Sequence, residues 1–171
     1  MNGGADLPII CKVYTGLTKE EEAILFSKQT GVSRPLTAGA ELRAALVGKD
    51  AQSIAFLNAT ESTGLQLGLD AYRAPWKIIC IRTAFKEYKT YGADLYKEAL
   101  TMLARGWEGD PDSLRSGILR GMVRFVALYQ GEYDPERLVK RLQTIHPMTL
   151  VRDEKAMSGT VSYKYMMLIL R

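Results

Sequence analysis

Residues 9–37 read IICKVYTGLTKEEEAILFSKQTGVSRPLT, and the order of signals within them sets the expected architecture. Ile9 to Tyr14 is short and rich in β-favouring residues, which predicts a strand. Thr18 then opens T-K-E-E: its hydroxyl accepts from the amide of Glu21, whose carboxylate returns to the amide of Thr18, a capping box. Glu20, Glu21 and Glu22 also suit the positive end of a helix dipole. Ala23, Leu25 and Phe26 follow, and Gly31 offers a left-handed stop. A polar loop, Gln29 through Arg34, leads to Thr37, a second N-cap. A strand followed at once by capped helices describes an α+β chain in which helix dominates.

The later sequence extends this pattern. Leu42, Ala45 and Leu46 form the stripe of a helix ended by Gly48, and Asp50 caps a third with Ile54, Phe56 and Leu57 that closes near Gly64. Leu65-Gln66-Leu67-Gly68-Leu69 alternates with period two and predicts a short strand, with a turn over 70–75. From Trp76 onward the pattern is helical. Ile78, Ile81, Phe85 and Tyr88 share a face up to Tyr91-Gly92, and Leu95, Ala99, Met102 and Leu103 form the next up to Gly106. Asp110-Pro111-Asp112 puts proline in a first turn and predicts the start of the longest helix, with Leu114, Ile118, Leu119, Met122, Phe125, Val126 and Tyr129 inward. Asp134-Pro135 repeats the device ahead of Leu138, Val139 and Leu142. His146-Pro147 ends that helix, because proline disfavours helical backbone in the residue before it. Residues 147–157 read as a loop and 158–171 as a last helix with Val161, Tyr165, Leu168 and Ile169 inward.

The expected fold is therefore a mainly α (α+β) single domain over 1–171, with about seven or eight helices and a small N-terminal β element. Residues 1–7 read as a flexible lead, 8–75 as a strand, three helices and a short strand, and 76–171 as a helical portion. The first strand would pair with Leu65–Leu69 or lie at an edge, since a lone strand leaves its backbone unsatisfied. An exposed edge would favour self-association.

Composition narrows the class. A chain of 171 residues buries roughly two thirds of its surface on folding. A formal charge of +4 permits a nucleic-acid partner without demanding one. Cys11 and Cys80 sit in apolar runs and read as reduced core thiols. MNGGADLP has no charged or apolar leader pattern, and the longest apolar run, Met166 to Leu170, is too short to span a bilayer. A cytoplasmic protein without a membrane partner is expected.

The Ile9–Thr37 segment resembles part of the ParB-like, sulfiredoxin-related nuclease domain found in bacterial phage and mobile-element proteins. The resemblance is carried by Ile10-Cys11-Lys12-Val13-Tyr14, Gly16-Leu17-Thr18, Glu21-Glu22-Ala23, Leu25-Phe26 and the polar loop into Leu36-Thr37. Trp107-Glu108-Gly109-Asp110 and the helix after it resemble the helical extension of some phage members. In that family an Asp-Gly-Gln-His-Arg motif upstream of the strand binds nucleotide or supplies the polar chemistry, and the sequence lacks it. The resemblance implies a DNA-associated module that has lost the nuclease chemistry. One alternative is a helical module that binds a partner protein and completes a separately encoded catalytic half. Another is a residual nucleotide-dependent nuclease using Arg34.

Two residue groups are candidates for phosphate. Arg34, with Gln29, Ser33 and Thr37, lies beside a helix start, where free amides and the dipole favour an anion. The resemblance places the equivalent arginine in the nucleotide or DNA contact region. Arg115, Arg120 and Arg124 on one predicted helix and Arg137, Lys140 and Arg141 on the next form the second group. Their basic faces would merge if the two helices formed a hairpin through Gly131–Pro135. Neither group supplies a nucleophile or general base. His146, the single histidine, lacks a ligand or base partner and reads as a helix-end polar residue. Trp76, Trp107, Tyr88, Tyr91 and Tyr96 could stack on bases, but their helical spacing favours core packing. Glu108, Asp110 and Asp112 read as a capping turn, and no P-loop, G-x-G-x-x-G or nucleophile elbow is present. No catalytic residue, metal or cofactor is expected.

Overall fold

Four of the start residues anticipated above, Thr18, Thr37, Asp50 and Asp134, cap the helices they precede. The computed structural model describes residues 11–33, 36–70 and 72–170, without the side chains at 27 and 29–33. Helix α1 (Lys19–Ser33) begins at the capping box, with the Thr18 amide donating to Glu21 Oε2 at 2.9 Å and the Glu21 amide to Thr18 Oγ1 at 3.3 Å. Thr37 caps α2 (Ala38–Val47) by accepting from the Ala40 amide, and Asp50 caps α3 (Ala51–Glu61) by accepting from the Ser53 amide at 2.8 Å. After these come β1 (Gln66–Leu67), β2 (Lys77–Ile78), α4 (Ile81–Tyr91), α5 (Ala93–Trp107) and α6 (Ser116–Leu128). The described chain closes with α7 (Pro135–Gln143), α8 (Pro147–Glu154) and α9 (Val161–Leu170). The fold is mainly helical, and among the described residues there is one small parallel sheet and one contiguous core.

Several boundaries depart from expectation. Residues 11–14 carry no strand, and Ile9, Ile10 and the lead at 1–7 lie outside the described residues. Residues 11–16 are exposed, with Val13 at 79%, so they have no apolar surface against which a strand would form. The strand at 65–69 shrinks to Gln66–Leu67 and pairs in parallel with Lys77–Ile78, within a stretch read as helical from Trp76. Helix α1 passes through Gly31, so Gln29–Ser33 is helix where a loop was expected; a single interior glycine costs only about 1 kcal/mol. Helix α5 likewise passes Gly106, whose missing Cβ admits Leu142: an added Cβ would lie 2.8 Å from that side chain.

The longest predicted helix starts late, at Ser116, because Asp110 spends its own groups on a turn. Its carboxylate accepts from the Asp112 amide at 2.7 Å, and its carbonyl accepts from the Ser113 hydroxyl and amide. The loop predicted over 147–157 contains α8. His146-Pro147 ends α7 and also begins the next helix, with Pro147 in the first turn and His146 Nδ1 accepting from the Met148 amide. The last helix starts at Val161, later than Ser158. Nine helices result among the described residues, against the seven or eight expected.

Helix α6 is the centre of the bundle. Ile118, Leu119, Met122, Val123 and Val126 are almost completely buried, and α4, α5 and α9 pack around the helix. The closest approach is to α9, across Gly117 and Gly121. A Cβ on Gly117 would meet Tyr165 Cε2 at 2.3 Å, and one on Gly121 would meet Tyr165 Cβ at 2.4 Å. These glycines four apart present one flat face. A second aromatic layer, Phe56, Phe85, Tyr88 and Tyr96, joins α3 to α4 and α5, where the buried Thr60 and Tyr96 hydroxyls lie 3.2 Å apart. No helix among the described residues is long and apolar enough to cross a membrane.

Candidate functional site

The predicted basic residues separate once the chain is folded. The side chains of Gln29 and Ser33, at the end of α1, and the whole of Arg34 lie outside the described residues. The Thr37 hydroxyl is occupied as the α2 cap. Arg120 points toward α4, where its Nε lies 3.7 Å from Glu87. Arg124 turns to α9, reaching Ser162 Oγ at 3.3 Å and lying over the Tyr163 ring. Helix α7 packs on α5, so Arg120 and Arg124 do not merge with the α7 cations into the single face expected. Arg137, Lys140 and Arg141 remain on the outer side of α7, exposed and without an ion pair among the described residues.

The aromatic candidates divide between core and surface. Tyr96 and Trp107 are buried, Trp107 donating from Nε1 to the Ile145 carbonyl at 2.7 Å. Trp76 is 42% exposed with φ +62°, and its ring lies where a Cβ on Gly109 would be. Its amide donates to the Gly109 carbonyl at 2.8 Å, which ties the β2 approach to the α5–α6 turn.

A different constellation surrounds the start of α6. A cleft of about 380 Å³ opens between the segment before α4, the first turn of α6, the end of α8 and the start of α9. Arg73 and Arg115 both bind the same oxygen, Asp112 Oδ1, at 3.0 Å and 2.6 Å. Two guanidinium charges thus share one carboxylate. Glu154, also on the cleft, pairs with Lys164 at 2.9 Å, and Ile79, Leu114, Val151 and Val161 supply apolar walls. Cys80 sits at the edge, its thiol donating to the Leu114 carbonyl at 3.5 Å; burial pushes the thiol up to about 11, so it is a wall and not a nucleophile.

Sequence reasoning named Arg115 but missed Arg73, Ser116 and Tyr165, which come from separate parts of the chain. The one legible signal was Gly117-x-x-x-Gly121, a helix face kept bare for a neighbour. Among the described residues, no group of three or more histidine, cysteine, aspartate or glutamate side chains is placed to hold a metal ion.

Fold and cleft together define a mainly helical domain whose polar residues are arranged as charge clamps around small surface recesses. The chain belongs to a family of unknown function (DUF6551), whose model matches residues 1–171. No curated protein and no solved structure matches it.

Proposed function

We propose that this chain is a non-catalytic, nucleic-acid-associated helical module that engages the phosphate backbone through the outer face of α7, as the resemblance of residues 9–37 to ParB-like proteins suggests. The observation that carries the reading is the set Arg137, Lys140 and Arg141. Spaced three and four apart on one helix face, they are exposed and unpaired, whereas Arg73, Arg82, Arg105, Arg115 and Arg120 are each engaged by a carboxylate. Unpaired surface cations release counterions from nucleic acid when they bind it, and each neutralised phosphate adds about 0.9 to the slope of log K against log salt on duplex DNA.

The test is fluorescence anisotropy with duplex DNA at low salt, repeated across a salt series. The triple variant Arg137→Ala, Lys140→Ala, Arg141→Ala should lower the slope by about 2–3 and weaken binding across sequences alike. Absence of binding by the folded protein at low salt, or a slope untouched by the triple variant, sinks the reading.

A second reading, a module that binds a partner protein, is favoured by the α1–α2 pair. Its open cleft is walled by Ala23, Phe26, Ala44 and Val47, with Phe26 55% and Val47 52% exposed. Light scattering after size exclusion, on wild type and Val47→Asp, distinguishes the occupants. A dimer lost in Val47→Asp makes the partner a second copy; a monomer in both forms leaves only a different protein.

A further inference from the structure

The cleft at the start of α6 has the features of a small-anion site, and these do not depend on the α7 reading. Helix α6 has no side-chain cap: its N-cap residue is Arg115, and neither the Gly117 nor the Ile118 amide has an acceptor among the described residues. The first-turn amides therefore point partial positive charge into the opening. An uncapped helix end alone could be satisfied by water. The independent observation is Tyr165.

Tyr165 is only 6% exposed, yet its hydroxyl has no hydrogen-bond partner among the described residues. Among the described residues no fully buried side-chain polar atom lacks a partner, so the hydroxyl is the part of the Tyr165 side chain left open to the cleft. The ring lies flat against Gly117, which fixes the hydroxyl at the mouth of the cleft beside the first turn of α6. Burial, with Glu154 adding to it and Arg115 opposing it, raises the phenol above its ordinary range, so the hydroxyl keeps its proton and can donate it in a hydrogen bond. Arg73 and Arg115 add a charge that Asp112 alone does not neutralise.

We infer that this cleft binds a small organic anion, its phosphate or carboxylate head held by the Gly117 and Ile118 amides, the Arg115 guanidinium and the Tyr165 hydroxyl, and its apolar body against Val151 and Val161. The head is drawn to the place where the open first-turn amides and the Tyr165 hydroxyl converge beside the Arg115–Asp112 pair. The apolar walls give the body a surface that free inorganic phosphate could not use. The volume, about 380 Å³, suits a body of one ring and excludes a folded macromolecular surface.

The test is a titration of the full-length chain followed by amide NMR, using inorganic phosphate, phenyl phosphate and benzoate as separate probes. Saturable shifts at Gly117 and Ile118 with phenyl phosphate or benzoate, tighter than with inorganic phosphate, are expected. Stronger binding by phenyl phosphate than by benzoate identifies a phosphate head, and the reverse a carboxylate. Arg115→Gln should weaken the tighter probe roughly tenfold or more, the loss of one charge-assisted hydrogen bond. Because Arg115 also clamps Asp112, Tyr165→Phe serves as the second variant: it removes only the unpartnered hydroxyl and should weaken binding severalfold with the fold unchanged. No saturable shift at the α6 start in a folded sample, or affinity equal in wild type and both variants, overturns the inference.

Discussion

Replacing Gly121 by alanine tests whether the α6–α9 seam depends on backbone approach. A Cβ there would lie 2.4 Å from Tyr165 Cβ, 2.8 Å from its carbonyl carbon and 2.9 Å from the Met166 nitrogen. Non-bonded carbons rest at about 3.5–4.0 Å, so α9 has to retreat by roughly 1 Å. Overpacking costs about 1–3 kcal/mol, and the obstacles here belong mostly to backbone, which no rotamer change relieves. Retreat also thins the packing of Tyr165, Met166, Leu168 and Ile169, all buried, each worth about 1.5–3 kcal/mol when fully enclosed. The better helix propensity of alanine returns about 1 kcal/mol. The net expectation is a loss of about 2–3 kcal/mol, seen by urea denaturation, or a fall in Tm of roughly 5–10 °C. Gly117→Ala meets a different obstacle, the Tyr165 ring at 2.3 Å. Tyr165→Ala should therefore relieve Gly117→Ala but not Gly121→Ala, and double-mutant cycles should show coupling in the first pair alone. Unchanged stability in Gly121→Ala, or equal rescue of both by Tyr165→Ala, would refute the seam.

Other expectations concern single groups. At pH 8 a disulfide reagent should modify the exposed Cys11 promptly and Cys80 only on unfolding. With its thiol pushed to about 11, Cys80 holds roughly a hundredth of the thiolate of an ordinary cysteine; two equally fast thiols would contradict its burial. Hydrogen bonds from Ser53 hold the Asp50 carboxyl below the usual range, so its capping contribution is present above the unfolded pKa and fades as pH falls through the folded one. Asp50→Ala should therefore cost about 1 kcal/mol at pH 7 and less below about pH 4, and a gap equal at both pH values counts against the cap. Trp107→Phe deprives the Ile145 carbonyl of its donor and should lower the urea midpoint by an amount equivalent to about 1–2 kcal/mol; an unchanged midpoint makes that bond dispensable.

Local chemistry was legible in the sequence wherever a signal lay within one turn. Thr18, Thr37, Asp50 and Asp134 each cap the helix they precede, because a side-chain oxygen and an amide two or three residues on need no tertiary partner. The same locality misled at His146-Pro147. Proline both stops a helix before it and suits the first turn of one after it, and only the burial of Pro147 and Leu150 against the bundle decides that α8 forms. Strands of two residues are too short for any periodicity to register, and parallel pairing across the 68–76 excursion is a tertiary event. The α6 cleft was illegible for a related reason: Arg73, Arg115 and Tyr165 meet only after α6 and α9 have packed. Charge counting along α6 and α7 overstated the basic surface, since it could not see Glu87 beside Arg120 or Ser162 beside Arg124.

The bare face of α6 also bears on the order in which the molecule assembles. Helices α4 and α5 meet across the single residue Gly92, whereas α9 reaches α6 only after α7 and α8 have been laid down between them. Contacts so distant in sequence form late, because the chain has to close a long loop before they contribute. Until that closure α6 carries one glycine in its first turn and one in its interior, the interior Gly121 weakening a solitary helix by about 1 kcal/mol relative to alanine. Helix α6 therefore has weak helix propensity of its own although it lies at the centre of the finished bundle. Its order rests on tertiary packing, against α9 above all and also against α5 and α4, more than on any local helix signal.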